Sequence, residues 1–369
     1  MKLSLRLADS GWVYRNPKPY LRAINAIHPS LSRLSDDSWL ATFDIGQGPE
    51  SLDYHTVLAR SLDGKHWEQH GPLLKASQIE PSTTHSIRTS VLADGRLVGV
   101  GGRYYRDDPE EGIVNRDSMG LCQMDLFWTE SSDQGRNWSD PRTIEAPVDC
   151  KAWEVSHCLL DLGNGVLGLP LGAWKSWNGD LPSGEQSVVL LSHDGGKTWP
   201  ECRRSFDGRK SGVIHWEQCV IPFGGGLLAV AWAYDPSHHL SLPSVYSMTS
   251  SLEEDFSSSQ PNGFLAETCE ILSLGDLDIL AVYRRSDQPG LWAETGRIED
   301  GIWTRADAIP LWQGQASGLS GRTNAADALS DLKFGSPSMR RMEDGSVLVL
   351  FWCQEDGVTG IRWLRLEAP

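Results

Sequence analysis

The chain is predicted to form one all-β domain, a six-bladed β-propeller of four-stranded antiparallel sheets. Three observations carry that expectation. A hairpin unit recurs six times, a short turn motif recurs three times in step with it, and the composition is rich in Trp and in turn residues. The 369 residues include 37 Gly, 20 Pro and 16 Trp, against only 8 Tyr and 8 Phe. Large rings suit a layered β core, and Trp also suits stacking on sugar faces.

Each unit has a polar start, an apolar strand, a tight turn and a second apolar strand. The units begin at Ile27, Ile87, Ser156, Glu217, Glu267 and Ser336. Their turns are Asp36-Asp37, Asp94-Gly95, Asn164-Gly165, Gly225-Gly226, Gly275-Asp276 and Asp344-Gly345, pairs that accept positive φ or a tight reversal. Successive turns lie about 60 residues apart, room for four strands with generous loops. No Pro/Ser-rich linker divides the chain, so residues 1–369 read as a single domain. A radial array must close on itself to hide its edges. Either Gly360–Leu366 or the alternating N-terminal segment LSLRLADS is placed to complete a shared sheet.

The turn motif is complete in Ser192, Asp194, Gly196, Thr198 and Trp199. Ser131, Asp133, Gly135 and Trp138 lack only the Thr, and Ser61, Asp63 and Trp67 repeat the motif with one residue deleted. Arg297–Trp303 is a degraded copy. Asp can accept backbone N–H bonds within its own turn, Gly permits the left-handed conformation, and Trp pins the turn to neighbouring strands. The spacing resembles the Asp-box, or BNR repeat, of the sialidase (neuraminidase) superfamily. That resemblance implies a six-bladed propeller whose Asp-box turns join outer strands on the face away from the ligand. The motif therefore marks the frame and not the site.

The formal net charge of −16 argues against nucleic acid and anionic membranes as partners. The N-terminus carries no apolar core of signal-peptide length, and no apolar run approaches a membrane span. Seven Cys, an odd number without a CxxC pair, fit a reducing, cytoplasmic setting. No cofactor is expected.

In a propeller the ligand meets the starts of the innermost strands and the ends of the second strands. The repeat register puts His28, His85 with Arg88, Glu154 with His157, His215 with Glu217, Glu267 and Ser336 at strand starts. Second-strand ends carry Asp44, Arg103 with Tyr104, Trp174 with Trp177, Asp235, Tyr283 with Arg284, and Glu355. Four His open the inner strands of four successive blades, which predicts a polar axial pocket. Glycoside hydrolysis needs two carboxyl groups or equivalents flanking the bond. Glu217 and Glu154 are the leading acid and base candidates, with His157 assisting and Asp44 a further catalytic candidate. His28, His85, Arg88, Arg103, Trp177, His215, Arg284 and Arg322 are expected to bind substrate. Converging Arg side chains would pair a carboxylate bidentately, pointing to a small, anionic carbohydrate.

The resemblance implies three Arg on the substrate carboxylate, an Asp acid, and a Tyr nucleophile paired with a Glu. Here Ala26-Ile27-His28-Pro29 stands where the family has an Arg-Ile-Pro strand start, and the stretch KFGSPSM before the last blade lacks the Tyr. The expected function is an exo-acting glycoside hydrolase on an acidic or modified sugar, not a strict sialidase. Two alternatives stand beside it: a metal-assisted sugar-acid lyase using the ring of His, and a non-catalytic carbohydrate-binding propeller.

Overall fold

The computed structural model describes residues 4–17, 23–48, 51–314 and 332–368. The first blade is β2 (Asn25–Arg33), β3 (Trp39–Gly46), β4 (His55–Ser61) and β5 (Glu68–Pro72). The second is β6 (Thr83–Val91), β7 (Leu97–Tyr105), β8 (Met124–Ser131) and β9 (Arg142–Thr143). In the third, the inner strand is split into β10 (Ala152–Glu154) and β11 (Leu160–Asp161). Both pieces pair with β12 (Leu167–Trp174), which is followed by β13 (Gln186–Ser192) and β14 (Glu201–Asp207). The fourth comprises β15 (Ile214–Phe223), β16 (Gly226–Asp235), β17 (Leu240–Thr249) and β18 (Gln260–Pro261). The fifth comprises β19 (Ala266–Gly275), β20 (Asp278–Arg285), β21 (Leu291–Glu299) and β22 (Ile302–Trp312). The sixth holds β23 (Phe334–Arg341), β24 (Val347–Glu355) and β25 (Val358–Glu367).

Closure uses both chain ends. The N-terminal strand β1 (Arg6–Tyr14) pairs antiparallel with β25, so the sixth sheet runs β1-β25-β24-β23. The expected hairpin turns are all present, and each has a residue at positive φ: Asp37, Gly95, Asn164, Gly225, Asp276 and Gly345 among them. In the fourth blade the left-handed pair is Gly224-Gly225, one residue earlier than the repeat suggested, because Gly226 already pairs with Phe223 in the ladder.

One apolar cluster fills each seam between neighbouring blades. Leu40, Leu58, Ile87 and Phe127 join the first and second, while Leu169, Leu171, Val100 and Trp128 join the second and third. The Ser-x-Asp turns sit between the third and fourth strands of their blades, and their Trp side chains wedge into the seam with the preceding blade. Trp138 enters the first seam, Trp199 the second, and Trp303 of the degraded copy the seam between the fourth and fifth blades. The local bonding explains the motif. Asp194 Oδ1 accepts the Ser192 hydroxyl at 2.8 Å and the Lys197 and Thr198 backbone N–H groups at 2.9 Å each. Asp133 repeats this with Ser131, Arg136 and Asn137. These hydrogen bonds, those from Asn137 first, favour the ionised Asp133 carboxyl and hold it down to about 2. A Cβ on Gly196, at φ +89°, would come within 2.5 Å of the Trp128 ring, so that position accepts only Gly. Among the described residues, no helix is long and apolar enough to cross a membrane.

Candidate active site

The inner strands are not regular, and their irregularity builds the site. β2, β15, β19 and β23 each break register by a bulge at the same height, between Ile27 and Ser30, Trp216 and Cys219, Glu267 and Glu270, and Gly335 and Ser338. The first bulged residue is left-handed in every case: His28 at φ +52°, Glu217 at +50°, Thr268 at +48° and Ser336 at +46°. A non-Gly residue in this conformation costs of order 1–3 kcal/mol, and bulges re-aim side chains next to active sites. In the third blade the strand is interrupted altogether between β10 and β11, which frees Val155–Leu159. The second blade keeps an unbroken ladder from Thr83 to Val91.

These devices surround a cavity of about 390 Å³. That is within the roughly 300–1,000 Å³ typical of small-molecule sites. His28, Ser86, Arg88, Glu154, Ser156, His157, Glu217 and Glu270 supply its polar lining. Trp153, Trp174, Trp216, Trp232 and Trp352 supply its aromatic walls. Trp216 stacks between Trp174 (5.5 Å between centroids) and Tyr234 (4.9 Å), so the wall is a braced block rather than loose rings.

Two acid centres meet here. Glu154 Oε2 accepts the backbone N–H of Glu217 at 3.1 Å, and the Ser156 hydroxyl lies on Oε1. Burial, and then the charge of Glu217, push the Glu154 carboxyl up to about 8, so it carries its proton at neutral pH. Glu217 Oε2 is buried and has no hydrogen-bond partner. Glu270, from the fifth blade, is pushed up to about 7 by burial despite its ion pair with Arg340 at 3.2 Å. His157 Nδ1 lies 3.9 Å from Glu270 Oε2. Burial and the Arg88 charge hold the imidazole down at about 3, hence neutral.

Asp44 lies behind the lining residues Tyr54, Ser86 and Arg88 and anchors them. Its fully buried carboxylate accepts from Thr56 Oγ1 (2.6 Å), Ser86 Oγ (2.6 Å) and Tyr54 Oη (3.0 Å), with Arg88 Nη1 at 3.4 Å. Burial alone would raise this carboxyl, but hydrogen bonding and the charges of His28 and Arg88 outweigh it and hold it at about 2. With the Tyr54 proton on Asp44, His28 Nδ1 at 2.8 Å is left to donate to Tyr54 Oη.

The raised carboxyls make a pH prediction. An acid whose native value exceeds its ordinary one keeps protons that the unfolded chain has released, so stability falls as pH rises between the two values. For Glu154 that window runs from 4.5 to about 8. Glu154→Gln is therefore expected to flatten the decline of the urea midpoint between pH 5 and 8. An unchanged slope would contradict the burial assigned to this group.

The structure brings together His28, Arg88, Glu154, His157 and Glu217, with Asp44 beneath them. His85, Arg103, Trp177, His215 and Arg284 do not line the cavity. For His85, Arg103 and His215 the reason is side-chain parity, since neighbouring residues of a strand face opposite ways. On β6, Ser86 and Arg88 face the axis, which turns His85 into the blade, where it is 4% exposed. On β7, Tyr104 faces in, while Arg103 is taken by Asp125 (2.8 Å) and Glu80 (3.2 Å). His215 alternates away from Trp216 and stacks on Phe206 at 5.1 Å. Arg284 pairs with Glu267 at 3.1 Å and donates to the Phe334 carbonyl. Trp177 contributes its carbonyl to Asn115 and Ser118. Arg322 lies outside the described residues. The ring of four His thus does not assemble. Among the described residues, no group of three or more His, Cys, Asp or Glu is arranged to hold a metal ion.

Known structures share this architecture. A protein of unknown function from Dyadobacter fermentans DSM 18053 superposes with a TM-score of 0.78 at 17% identity, covering 99% of this chain and 100% of that one. The K499G mutant of NanB sialidase from Streptococcus pneumoniae matches at 0.66 and 11% identity, covering 96% and 70%. Trypanosoma rangeli sialidase matches at 0.62 and 15% identity, covering 92% of this chain and 54% of that one; it has also been solved in complex with sialic acid. The fold is that of the sialidases. Neither a protein-family model nor a curated protein matches the sequence. At these identities the likeness extends to the fold, and the chemistry rests on the site itself.

Proposed function

We propose that this protein is an exo-acting glycoside hydrolase with a sialidase-type propeller, cleaving a modified sugar from a chain end, and that it is not a strict sialidase. The observation that carries this reading is the pairing of Glu154 with Glu217 on one aromatic-walled cavity, with Glu154 held protonated. Two carboxyl groups in different environments, one of them kept protonated, are the working parts of glycosidases. Glu154 gives its proton to the glycosidic oxygen as the bond to the anomeric carbon breaks. Water supplies hydroxide to that carbon, and Glu217 takes the remaining proton or forms the intermediate that water then resolves. Neutral His157 and the Asp44–Tyr54–His28 chain fix the walls and shield the reacting bond from bulk water. The Trp block holds the sugar ring by its apolar face. Seven free Cys support the expected reducing, cytoplasmic setting.

The test is product analysis on a panel of oligosaccharides. The expected result is release of single sugars from one end. Glu217→Gln is expected to lose at least about a hundredfold in rate, the usual scale for a general acid–base group. A fully active Glu217→Gln variant would remove Glu217 from the mechanism.

A further inference from the structure

The Arg side chains described in and around the cavity are already paired with carboxylates. Arg88 faces Asp44 at 3.4 Å, and Arg340, behind Glu270, is paired to it at 3.2 Å. The outlying Arg side chains are held as tightly: Arg103 by Asp125 and Glu80, Arg284 by Glu267. Among the described residues, three carboxyl groups line the cavity against the two cations Arg88 and Lys333. An entering carboxylate would meet Glu217 and Glu270, and among these residues no converging pair of free guanidinium groups receives it.

One stretch of the wall is apolar, and it is tied in place. The segment between β7 and β8 brings Ile113, Val114 and Leu121 to the mouth. It is fastened to the third blade by Leu121 N–H donating to the Lys175 carbonyl (2.9 Å) and by Trp174 Nε1–H donating to the Met119 carbonyl (2.6 Å). Trp174, Trp216 and Trp232 continue this apolar surface. Such a wall suits the apolar face of a sugar and a methyl or acyl substituent on it.

We propose that the sugar recognised here is neutral and carries an apolar substituent, a deoxy methyl or an acyl group, laid against the Trp wall, in place of the anionic sugar expected from the sequence. This rests on the hydrolase reading for its chemistry but not for its binding. The test is a Trp-fluorescence titration at pH 7 with L-fucose, L-rhamnose, N-acetyl-D-glucosamine, D-glucuronic acid and N-acetylneuraminic acid, followed by turnover of the matching 4-nitrophenyl glycosides. At least one neutral sugar is expected to bind about tenfold or more tighter than either acid, a difference of about 1.4 kcal/mol. Neutral binding without turnover of any glycoside would uphold this inference and overturn the hydrolase reading. Tighter binding, or exclusive turnover, of an acidic sugar would overturn the inference and leave the hydrolase reading standing. Binding of none of the five would overturn the inference.

Discussion

Glu154→Gln is expected to lower kcat/KM by about 10²–10⁴ while leaving the fold intact, because it removes the proton donor and little else. The amide keeps the size of the side chain and can still accept the Glu217 N–H that Glu154 Oε2 accepts at 3.1 Å. The pattern across substrates separates this role from a structural one. An aryl glycoside with a strongly acidic phenol needs no protonation to leave, so its loss is expected to be much smaller than that of an alkyl glycoside. The alkaline limb of the wild-type pH–rate profile should also vanish, since it reports the acid whose value burial and Glu217 raise to about 8. Equal losses on both substrate types would point to a binding defect instead.

Arg284→Met is expected to be the most damaging single change to stability, by about 3–5 kcal/mol. Arg284 and Glu267 are 2% and 1% exposed, so removing the guanidinium takes the cation from a buried carboxylate, which keeps the Ser241 hydroxyl at 3.1 Å. It also removes the donor to the Phe334 carbonyl, a bond from the fifth blade to the sixth. The double change Arg284→Met with Glu267→Leu should recover most of the loss, as buried ion pairs replaced whole by apolar groups often do. Urea unfolding of the three proteins decides it. A loss of under about 1 kcal/mol in the single variant would show that water reaches Glu267.

The architecture was legible because it repeats. Six hairpins and three Ser-x-Asp turns state the blade count, and the turn motif states that Trp138 and Trp199 pin their turns to neighbouring strands, without any three-dimensional information. The site was legible only in part, and parity explains the difference. Reading strand starts as short windows admits both faces of a strand, so it groups His85 and Arg103 with their inward neighbours Ser86, Arg88 and Tyr104. Aligning Glu217 with Glu267 through the shared Glu-x-Cys also slips the fifth blade by one residue. The ladder puts Glu217 level with Thr268 and Cys219 level with Glu270, so the carboxyl that reaches the cavity is Glu270. A bulge adds a residue without marking the sequence, and only His28-Pro29 and Ser336-Pro337 hint at one, since Pro cannot donate to a ladder. The Trp walls were hidden for another reason. Trp216, Trp232 and Trp352 sit inside apolar strand runs where a core ring and a cavity ring look alike. Tyr54, which links Asp44 to His28, lies just before β4, a region that the repeat pattern does not mark.

The most direct measurement is a crystal structure of Glu154→Gln soaked with a cleavable disaccharide. The terminal ring is expected against Trp174 and Trp216, with Glu217 close to the anomeric carbon. The glycosidic oxygen should lie within about 2.6–3.2 Å of the amide that replaces the Glu154 carboxyl. Sugar bound instead over the Ser-x-Asp face, or in the cavity with its anomeric carbon remote from residues 154 and 217, would contradict it.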